Sequence, residues 1–309
     1  MSSQDFPPSA GFQKIYNFRS LRRGESDKLR FFRCASVSCA TEADCKILMN
    51  KYNILTIVDL RGVGGKSSNV GPNKTLKYYP RIEDGNGKGR RRTLTFDLFT
   101  ADTKRRIRSR LYTLNSAKVF FCAVLTFCFY TIMRIALFTF PKYTRDWKLY
   151  FIARHLKWTI QPYCNVEDGG PLGVVYQCML EGSKEVICRV LKTIAEPINC
   201  PCLFHCASGK DRTGLIAMLV MASIGCTRRE IVEDYYKSEE FSVSATHYRL
   251  IGVSDTTNKY LDKGTLKQLG APKHAMQAAL NYLDKKYNGP CNYLDSIGFT
   301  QEWRDKLKD

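Results

Sequence analysis

Residues 201–224 read PCLFHCASGKDRTGLIAMLVMASI, a short apolar run followed by a turn with two glycines and a long apolar run. The first run, residues 201–205, predicts a short buried strand, and the second predicts a helix over residues 213–224. A strand that passes through a tight turn into a helix is a building unit of α/β folds. This stretch therefore predicts the α/β class.

The rest of the chain predicts further helices and at least one further strand. Residues 41–51 predict a helix with Thr41 as its N-cap, and residues 53–60 (NILTIVDL) predict a buried strand. Residues 62–89 are rich in Gly, Asn and Lys and predict a loop. Additional helices are predicted over residues 144–158, 172–194, 228–238, 273–287 and 300–307. The alternation of helices with strands again indicates the α/β class.

The turn HCASGKDRTG, residues 205–214, carries the chemistry. Cys206 and Arg212 stand with five residues between them, but Cys128 and Arg134 have the same spacing, so spacing alone is a weak signal. A strand–turn–helix unit directs backbone N–H groups and the positive end of a helix at one point, where a phosphate dianion binds. The same field lowers the pKa of a thiol from ~8.5 to roughly 3.5–7.5. Cys206 is therefore predicted to be a thiolate nucleophile.

The neighbouring residues have predicted roles that follow from their side chains. Gly209 allows the turn to bend so that its amides converge, and the planar guanidinium of Arg212 can hold two phosphate oxygens. Thr213 can donate its hydroxyl to the sulfur, and His205 is predicted to orient the turn by a backbone hydrogen bond. The predicted catalytic residues are Cys206, Arg212, Asp211 and Thr213. The predicted substrate-binding residues are His205, Ala207, Ser208, Gly209, Lys210 and Gly214.

The leaving oxygen of such a reaction also needs a proton. Asp211 lies within the turn and is the first candidate for this general acid. Asp97, Asp146 and Asp168 are alternatives that could arrive on separate loops. Lys210 would add a second cation at the rim of the pocket, which would favour substrates with more than one negative charge.

The chain of 309 residues contains 48 Lys and Arg against 29 Asp and Glu, a net charge of +19. Such a field favours an anionic partner: a phosphorylated substrate, an anionic membrane surface or a nucleic acid. No zinc finger, helix-turn-helix or RNP-like motif is evident, so no nucleic acid is expected. The 13 cysteines are scattered, and the N-terminus has no export-signal pattern, which predicts a reducing, cytoplasmic location.

Residues 119–140 form an apolar segment of 22 residues interrupted by Arg134, after a basic stretch over residues 88–118. Its length is close to the ~20 residues that span a bilayer. A single span would place Asp59 and Cys206 on opposite sides of the membrane, although they are expected in one sheet. A buried core helix and a lid or membrane-surface helix are therefore both favoured over a true span.

The residues quoted above resemble a known family. HCASGKDRTG is similar to the active-site loop of cysteine-based tyrosine phosphatases, and especially of the tyrosine/lipid phosphatase family that includes secreted bacterial members. Three further stretches agree: Asn17-Phe18-Arg19 with Phe32-Arg33, Asp59-Leu60-Arg61, and Glu233-Asp234-Tyr235 with Ser238. Tyr287, Tyr293, Leu294 and Gly298 resemble its C-terminal helix pair. The resemblance covers roughly residues 13–95 and 165–309.

The resemblance implies a phosphatase-type central sheet flanked by helices, with a helical lid-like insertion. It also implies a phosphocysteine intermediate, no metal and no cofactor. Residues 1–12 are expected to form a flexible tail, and residues 13–309 a single domain with a basic and apolar insertion at about 96–160.

The expected function is hydrolysis of phosphate monoesters, foremost protein phosphotyrosine with dual specificity. The alternatives are a phosphoinositide phosphatase, or a catalytically weak module that binds anionic lipid or phosphoprotein. A peripheral position on a membrane through residues 119–140 is a further expectation.

Overall fold

A five-stranded sheet forms the centre of the protein in its computed structural model, which describes residues 7–9, 11–21, 30–62, 74–82, 90–113, 169–244 and 270–308. The strands are β1 (Arg19–Leu21), β2 (Phe31–Cys34), β3 (Thr56–Asp59), β4 (Arg92–Thr95) and β5 (Cys202–His205). Their order across the sheet is β1-β2-β5-β3-β4, with β1 antiparallel to β2 and all other neighbours parallel. The loop after the central strand β5 therefore opens at the edge where β2, β3 and β4 also end.

Helices cover the sheet. They are α1 (Glu42–Asn50), α2 (Thr75–Tyr78), α3 (Ala101–Thr113), α4 (Gly170–Gly182), α5 (Lys184–Ala195), α6 (Asp211–Ser223), α7 (Arg228–Tyr236), α8 (Glu239–Ser242), α9 (Lys273–Tyr287), α10 (Pro290–Ser296) and α11 (Gln301–Asp305). The predicted α/β class is confirmed. The predicted helix over residues 273–287 has the bounds of α9, and those over 41–51, 213–224, 228–238 and 300–307 correspond to α1, α6, α7 and α11.

Alternating side chains on the strands separate two hydrophobic clusters, one on each face of the sheet. Phe31, Val58 and Phe204 belong to the larger cluster, which includes side chains from α4, α5, α6, α9 and α10. Ile57 and Leu203 belong to the smaller cluster, which includes side chains from α1. This alternation follows from the two-residue period of a strand, and it places helices on both faces.

The predicted N-cap of the first helix is confirmed. The Thr41 hydroxyl accepts a hydrogen bond from the Asp44 backbone N–H at 3.2 Å, and the Asp44 carboxylate accepts one from the Thr41 N–H at 3.0 Å. This reciprocal pair satisfies two donors that a helix start otherwise leaves unpaired.

The single helix predicted over residues 172–194 is wrong, because the chain forms two helices that meet at Ser183. The Ser183 hydroxyl donates to the Leu98 carbonyl at 2.8 Å and lies 2.7 Å from the Thr103 hydroxyl. Gly182 lies so close to α3 that a Cβ there would be 2.6 Å from the Thr103 nitrogen. The break thus lets the start of α3 pack against the α4–α5 junction, a long-range contact that apolar periodicity does not report.

Several other expectations need adjustment. Apolar periodicity did not predict β1, β2, β4 or α3, and α2 lies within the predicted loop over residues 62–89.

The predicted tail is too long, because Phe12 is buried against Phe18 and Tyr52, and the Ser9 hydroxyl accepts a hydrogen bond from the Phe18 N–H at 2.8 Å.

The predicted lid-like insertion lies largely outside the described residues. This holds for the apolar segment 119–140 and for the helix predicted over residues 144–158. Within the part of the chain that is described, no helix has the length and apolar character needed to cross a membrane.

Candidate active site

The loop Cys206–Lys210 connects the central strand β5 to the long helix α6, which begins at Asp211. Because α6 has 13 residues, its N-terminus presents the positive end of a full helix dipole to the loop. Asp211 and Arg212 belong to the first turn of this helix. The local sequence thus brings a thiol, a carboxyl group and a guanidinium to one helix end.

Three consecutive carbonyl groups of the loop bond to groups outside it. The Ala207 carbonyl accepts from the Ser36 backbone N–H at 2.9 Å. The Ser208 carbonyl accepts from the Asn17 side-chain amide at 3.1 Å, and the Gly209 carbonyl accepts from the Arg33 guanidinium at 2.7 Å. These three bonds tie the loop to the second residue after β2, to the N-terminal segment and to β2, and they fix the path of its backbone around Cys206.

Gly209 occupies a position that no other residue fits. Its φ is +67°, and a Cβ at this position would lie 2.3 Å from the Cys34 carbonyl oxygen. Both the left-handed backbone and the close approach of β2 therefore require glycine here.

An ion-pair network behind the loop holds these contacts in place. The buried Asp234 carboxylate pairs with Arg33 at 2.5 Å and with Arg19 at 2.6 Å. Ser238 accepts from both Arg19 and Asn17. Burial opposes the ionised form of Asp234, but the two guanidinium groups outweigh it and lower the pKa of the carboxyl. The N-terminal segment and α7 are thereby joined through one carboxylate.

The electrostatics of the loop favour the reactive form of Cys206. The side chain is 2% exposed, and this burial by itself disfavours a thiolate. The positive charge of Arg212 and the Thr213 hydroxyl outweigh burial, so that the pKa of Cys206 lies below its usual value. The Thr213 hydroxyl is buried and makes no well-formed hydrogen bond within the described residues, which leaves it able to donate to the sulfur.

His205 makes the backbone hydrogen bond that was predicted for it. Its Nδ1 lies 3.0 Å from the Cys206 carbonyl oxygen, and because a carbonyl only accepts, Nδ1 carries the hydrogen. Burial lowers the pKa of His205 although the nearby Asp59 acts in the opposite direction. His205 thus supports the loop from behind.

Asp59, the last residue of β3, and Arg61, two residues later, also support the loop. The Arg61 guanidinium donates to Asp59 at 2.8 Å and to the Ser36 hydroxyl at 2.8 Å. Ser36 in turn donates its backbone N–H to Ala207. The Asp59-Leu60-Arg61 stretch therefore reaches the loop through Ser36.

The Arg212 guanidinium is positioned by the β3 and β4 ends of the sheet. It donates to the Leu60 carbonyl at 3.4 Å and lies over the Phe99 ring at 5.6 Å from its centre. A long contact to one carbonyl leaves most of its donors available for phosphate oxygens.

The carboxyl group of Asp211 bonds to a residue that the sequence did not single out. Its Oδ1 atom accepts from the Tyr176 hydroxyl at 2.8 Å, and Tyr176 lies on α4. The Lys210 ammonium is 3.4 Å from the same oxygen. Tyr176 occupies an ordinary apolar position 35 residues before Asp211, so no sequence signal marks it.

Lys210 does not lie at the pocket rim, where the sequence placed it. Its side chain is buried, and the ammonium donates to the Gly270 carbonyl at 2.9 Å. Gly214 lies within α6 rather than in the turn, where a Cβ would be 3.1 Å from the Tyr235 ring. These two residues anchor the loop and the helix to α7 and to the segment before α9.

The alternative general acids have different positions. The backbone of Asp97 forms an isolated antiparallel β-bridge with that of Arg61 just after β4, at the same sheet edge as the loop. The Asp97 carboxylate accepts from the Phe99 N–H at 2.8 Å. Asp146 and Asp168 lie outside the described residues. Among the described residues, no group of three or more His, Cys, Asp or Glu could hold a metal ion.

Comparison with known proteins agrees with this geometry. The sequence model described as the tyrosine phosphatase family matches residues 166–309, which contain the whole loop and α6. A "Tyrosine-protein phosphatase" of Nostoc commune is 31% identical over 145 residues, which are 44% of this chain and 48% of the relative. The "Triple specificity protein phosphatase PtpB" of Mycobacterium tuberculosis is 29% identical over 140 residues, which are 41% of this chain and 49% of the relative.

The site is a strand–loop–helix unit in which a thiol of lowered pKa lies beside the N-terminus of a helix. Residues 166–309, somewhat less than half of the chain, are similar in sequence to the tyrosine phosphatase family. The matched regions span about half the length of each of these two relatives.

Proposed function

We propose that the protein hydrolyses phosphate monoesters through a covalent intermediate on Cys206. The observation that carries this proposal is the loop itself: a thiol of lowered pKa stands at a helix N-terminus, in a loop whose carbonyls bond to groups outside it. The Cys206 thiolate attacks phosphorus, and the bond from phosphorus to the ester oxygen breaks. Water then attacks the phosphocysteine, which releases inorganic phosphate and restores the thiolate.

The remaining loop residues have complementary roles. Arg212 and the loop amides bind the phosphoryl oxygens, whose charge they stabilise most strongly in the transition state. Asp211 protonates the leaving oxygen and afterwards accepts a proton from the attacking water. Thr213 donates to the sulfur when it leaves phosphorus in the second step. The proposed mechanism requires neither a metal nor a cofactor.

The substrate class we propose is protein phosphotyrosine with dual specificity towards phosphoserine and phosphothreonine. The family description and the name of the mycobacterial relative support this class. Phosphoinositides are the second candidate, and the net charge of +19 favours it, as it favours contact with an anionic membrane surface. The Lys210 ammonium is buried and donates to the Gly270 carbonyl, so Lys210 gives the second candidate little support.

We also infer that residues 13–309 form one domain with an insertion at about 96–160. Strands from both sides of this insertion share one sheet, which supports the inference. The start of the insertion, α3, packs against α4 through Thr100 and Thr103.

The decisive experiment replaces the nucleophile. We expect Cys206→Ser to lower hydrolysis of 4-nitrophenyl phosphate by at least about 10³-fold, because a serine hydroxyl is not ionised at neutral pH. Cys226→Ser, the same change at a buried thiol beyond the other end of α6, should retain wild-type activity. Activity that survives in Cys206→Ser would overturn the proposed function.

The substrate class is tested by parallel assays of phosphate release. A phosphotyrosine peptide, a phosphoserine peptide and phosphoinositides in vesicles are compared by kcat/KM. The proposal expects the phosphotyrosine peptide to lead. A higher kcat/KM for phosphoinositide would assign the second candidate instead.

A further inference from the structure

We propose that Tyr176 is a positioning residue that holds the Asp211 carboxyl group so that its Oδ2 atom carries the proton for the leaving group. This inference rests on the proposed function, because it concerns the proton that the reaction transfers. Tyr176 lies on α4, outside the loop, and is fully buried. Its hydroxyl reaches Asp211 Oδ1 at 2.8 Å.

The direction of the hydrogen bonds follows from counting hydrogens. The Tyr176 hydroxyl lies 2.8 Å from Asp211 Oδ1 and 2.7 Å from the Tyr235 hydroxyl, and it has one hydrogen to give. If Tyr176 donates to the carboxyl, then Tyr235 must donate to Tyr176. Burial, with the neighbouring Asp211, raises the pKa of both phenols well above their usual value, so both remain donors at neutral pH.

This chain of donors distinguishes the two oxygens of Asp211. Oδ1 faces the Tyr176 hydroxyl and the Lys210 ammonium, and both of these groups offer it hydrogens. Oδ1 is therefore the acceptor oxygen of the acid form. Oδ2 makes no hydrogen bond within the described residues, so it is the oxygen free to carry a proton and to give it away.

The two tyrosines are themselves fixed by packing between helices. Their rings meet edge to face, with centres 6.1 Å apart and planes at 85°. The Tyr235 ring also lies against α6 at Gly214. Helices α4 and α7 therefore define where the carboxyl at the start of α6 points.

The test uses two aryl phosphates that differ in their need for a proton. Phenolate is a poor leaving group and needs protonation, whereas 4-nitrophenolate departs with little help. We expect Tyr176→Phe to lower kcat/KM about tenfold for phenyl phosphate and less than about twofold for 4-nitrophenyl phosphate. An equal loss for both substrates would overturn the inference.

Tyr293→Phe is the matched control. The Tyr293 side chain is also buried, and its hydroxyl donates at 2.7 Å to the carbonyl of Leu180, which lies on α4 like Tyr176. This hydroxyl does not bond to Asp211. Loss of this hydroxyl should leave the ratio of the two kcat/KM values unchanged. A Tyr293→Phe variant with the same substrate selectivity as Tyr176→Phe would contradict the assignment.

A double-mutant cycle tests whether Tyr176 acts through Asp211. Asp211→Asn should reduce kcat/KM for phenyl phosphate by about 10²-fold. Adding Tyr176→Phe to this variant should cost less than about twofold, because the carboxyl that the hydroxyl positions is gone. Losses that multiply fully in the double variant would indicate a structural role and overturn the inference.

Folding and the proposed function are separated by two further measurements. Tyr176→Phe leaves the Tyr235 hydroxyl without an acceptor, so Tyr176→Phe/Tyr235→Phe is made as well, and it should show the same substrate selectivity in a folded protein. Wild-type protein that hydrolyses neither phosphate would overturn the proposed function and this inference with it. If the wild-type protein is active and Tyr176→Phe lowers kcat/KM equally for both phosphates, this inference alone is overturned.

Discussion

The shape of the loop depends on a single missing side chain at Gly209. The left-handed backbone at this residue turns the loop, and the absence of a Cβ lets the loop lie against the Cys34 carbonyl of β2. A bulkier residue would have to push the loop and the strand apart. The position of the amides around Cys206 is therefore a property of this one residue.

We predict that Gly209→Ala lowers both activity and stability. The left-handed conformation and the separation of only 2.3 Å between the new Cβ and the Cys34 carbonyl oxygen should together lower the unfolding free energy by about 2 kcal/mol or more. Phosphate release should fall because the loop amides move away from the phosphoryl oxygens. Urea unfolding and kcat/KM measure the two effects.

Gly298→Ala is the control for this substitution. Gly298 also has a positive φ of +85°, but the nearest atom to a Cβ there is 3.9 Å away. Only the conformational cost of about 1 kcal/mol should remain, with kcat/KM unchanged. Unchanged activity in Gly209→Ala would show that the loop tolerates the displacement.

At the scale of elements, β2 and α7 support the loop together. Arg33 on β2 donates to both the Gly209 carbonyl and the Asp234 carboxylate of α7. Burial and the nearby Arg19 lower the pKa of Arg33 to about 10, so the guanidinium is still charged at neutral pH. A strand and a helix that are far apart in the chain thus depend on one buried ion pair.

We expect Arg33→Met to destabilise the protein by about 3–5 kcal/mol, because it leaves a buried carboxylate with only Arg19 as partner. The Gly209 carbonyl also loses its shorter hydrogen bond and keeps only the 3.3 Å bond from the Asn17 side-chain amide, so the alkylation rate of Cys206 by iodoacetate should fall. Urea unfolding and mass spectrometry of the labelled peptide measure these changes.

Arg304→Met separates loop geometry from general stability. Arg304 is buried and pairs with Asp295 near the C-terminus, remote in sequence from the loop. The Arg304→Met substitution should destabilise the fold and leave the alkylation rate of Cys206 unchanged. An equal loss of alkylation in both variants would argue against a specific role of Arg33.

For the whole molecule, the sheet edge brings distant parts of the chain to one point. Asn17, Arg33, Asp59, Tyr176 and Asp234 all contribute to a site around residues 205–214. The carboxyl ends of parallel strands share one edge, so the residues that follow them meet there. Stability of the fold and geometry of the site are consequently linked.

We predict that Asp59 makes folding sensitive to acid. Burial opposes its ionisation, but His205 and Arg61 outweigh burial and lower the pKa of Asp59 to about 2. Because this value is below that of the unfolded chain, the ion contributes about 2 kcal/mol above pH 4, and this contribution is lost as the pH falls through about 2. Asp59→Asn should remove this component of the pH dependence.

Urea unfolding between pH 2 and pH 6 measures the difference. Glu302→Gln, a change at an exposed carboxylate, should retain the wild-type profile. An Asp59→Asn variant whose unfolding free energy declines as steeply as that of the wild type would contradict the prediction.

The sequence alone predicted the α/β class, the strand before Cys206 and the helix after it, and it supplied the residues that we propose to carry the chemistry. These features are encoded locally, since a β-branched or apolar run, a glycine turn and an adjacent helix occupy consecutive positions. The quoted resemblance also marked Asn17, Arg19, Arg33 and Asp234, although no periodicity assigns them a role.

Only the tertiary structure decided where the side chains of the loop and its supports point. Lys210 turns inward to Gly270, the helix predicted over residues 172–194 breaks at Ser183 to receive α3, and Tyr176 bonds to Asp211. Each of these contacts joins residues at least 35 positions apart, and its energy depends on the burial of the polar groups that it pairs. The strand, the turn and the helix of the loop are encoded by consecutive residues and are predictable from the sequence. The orientation of the loop is instead set by long-range hydrogen bonds that form when the helices pack on the sheet.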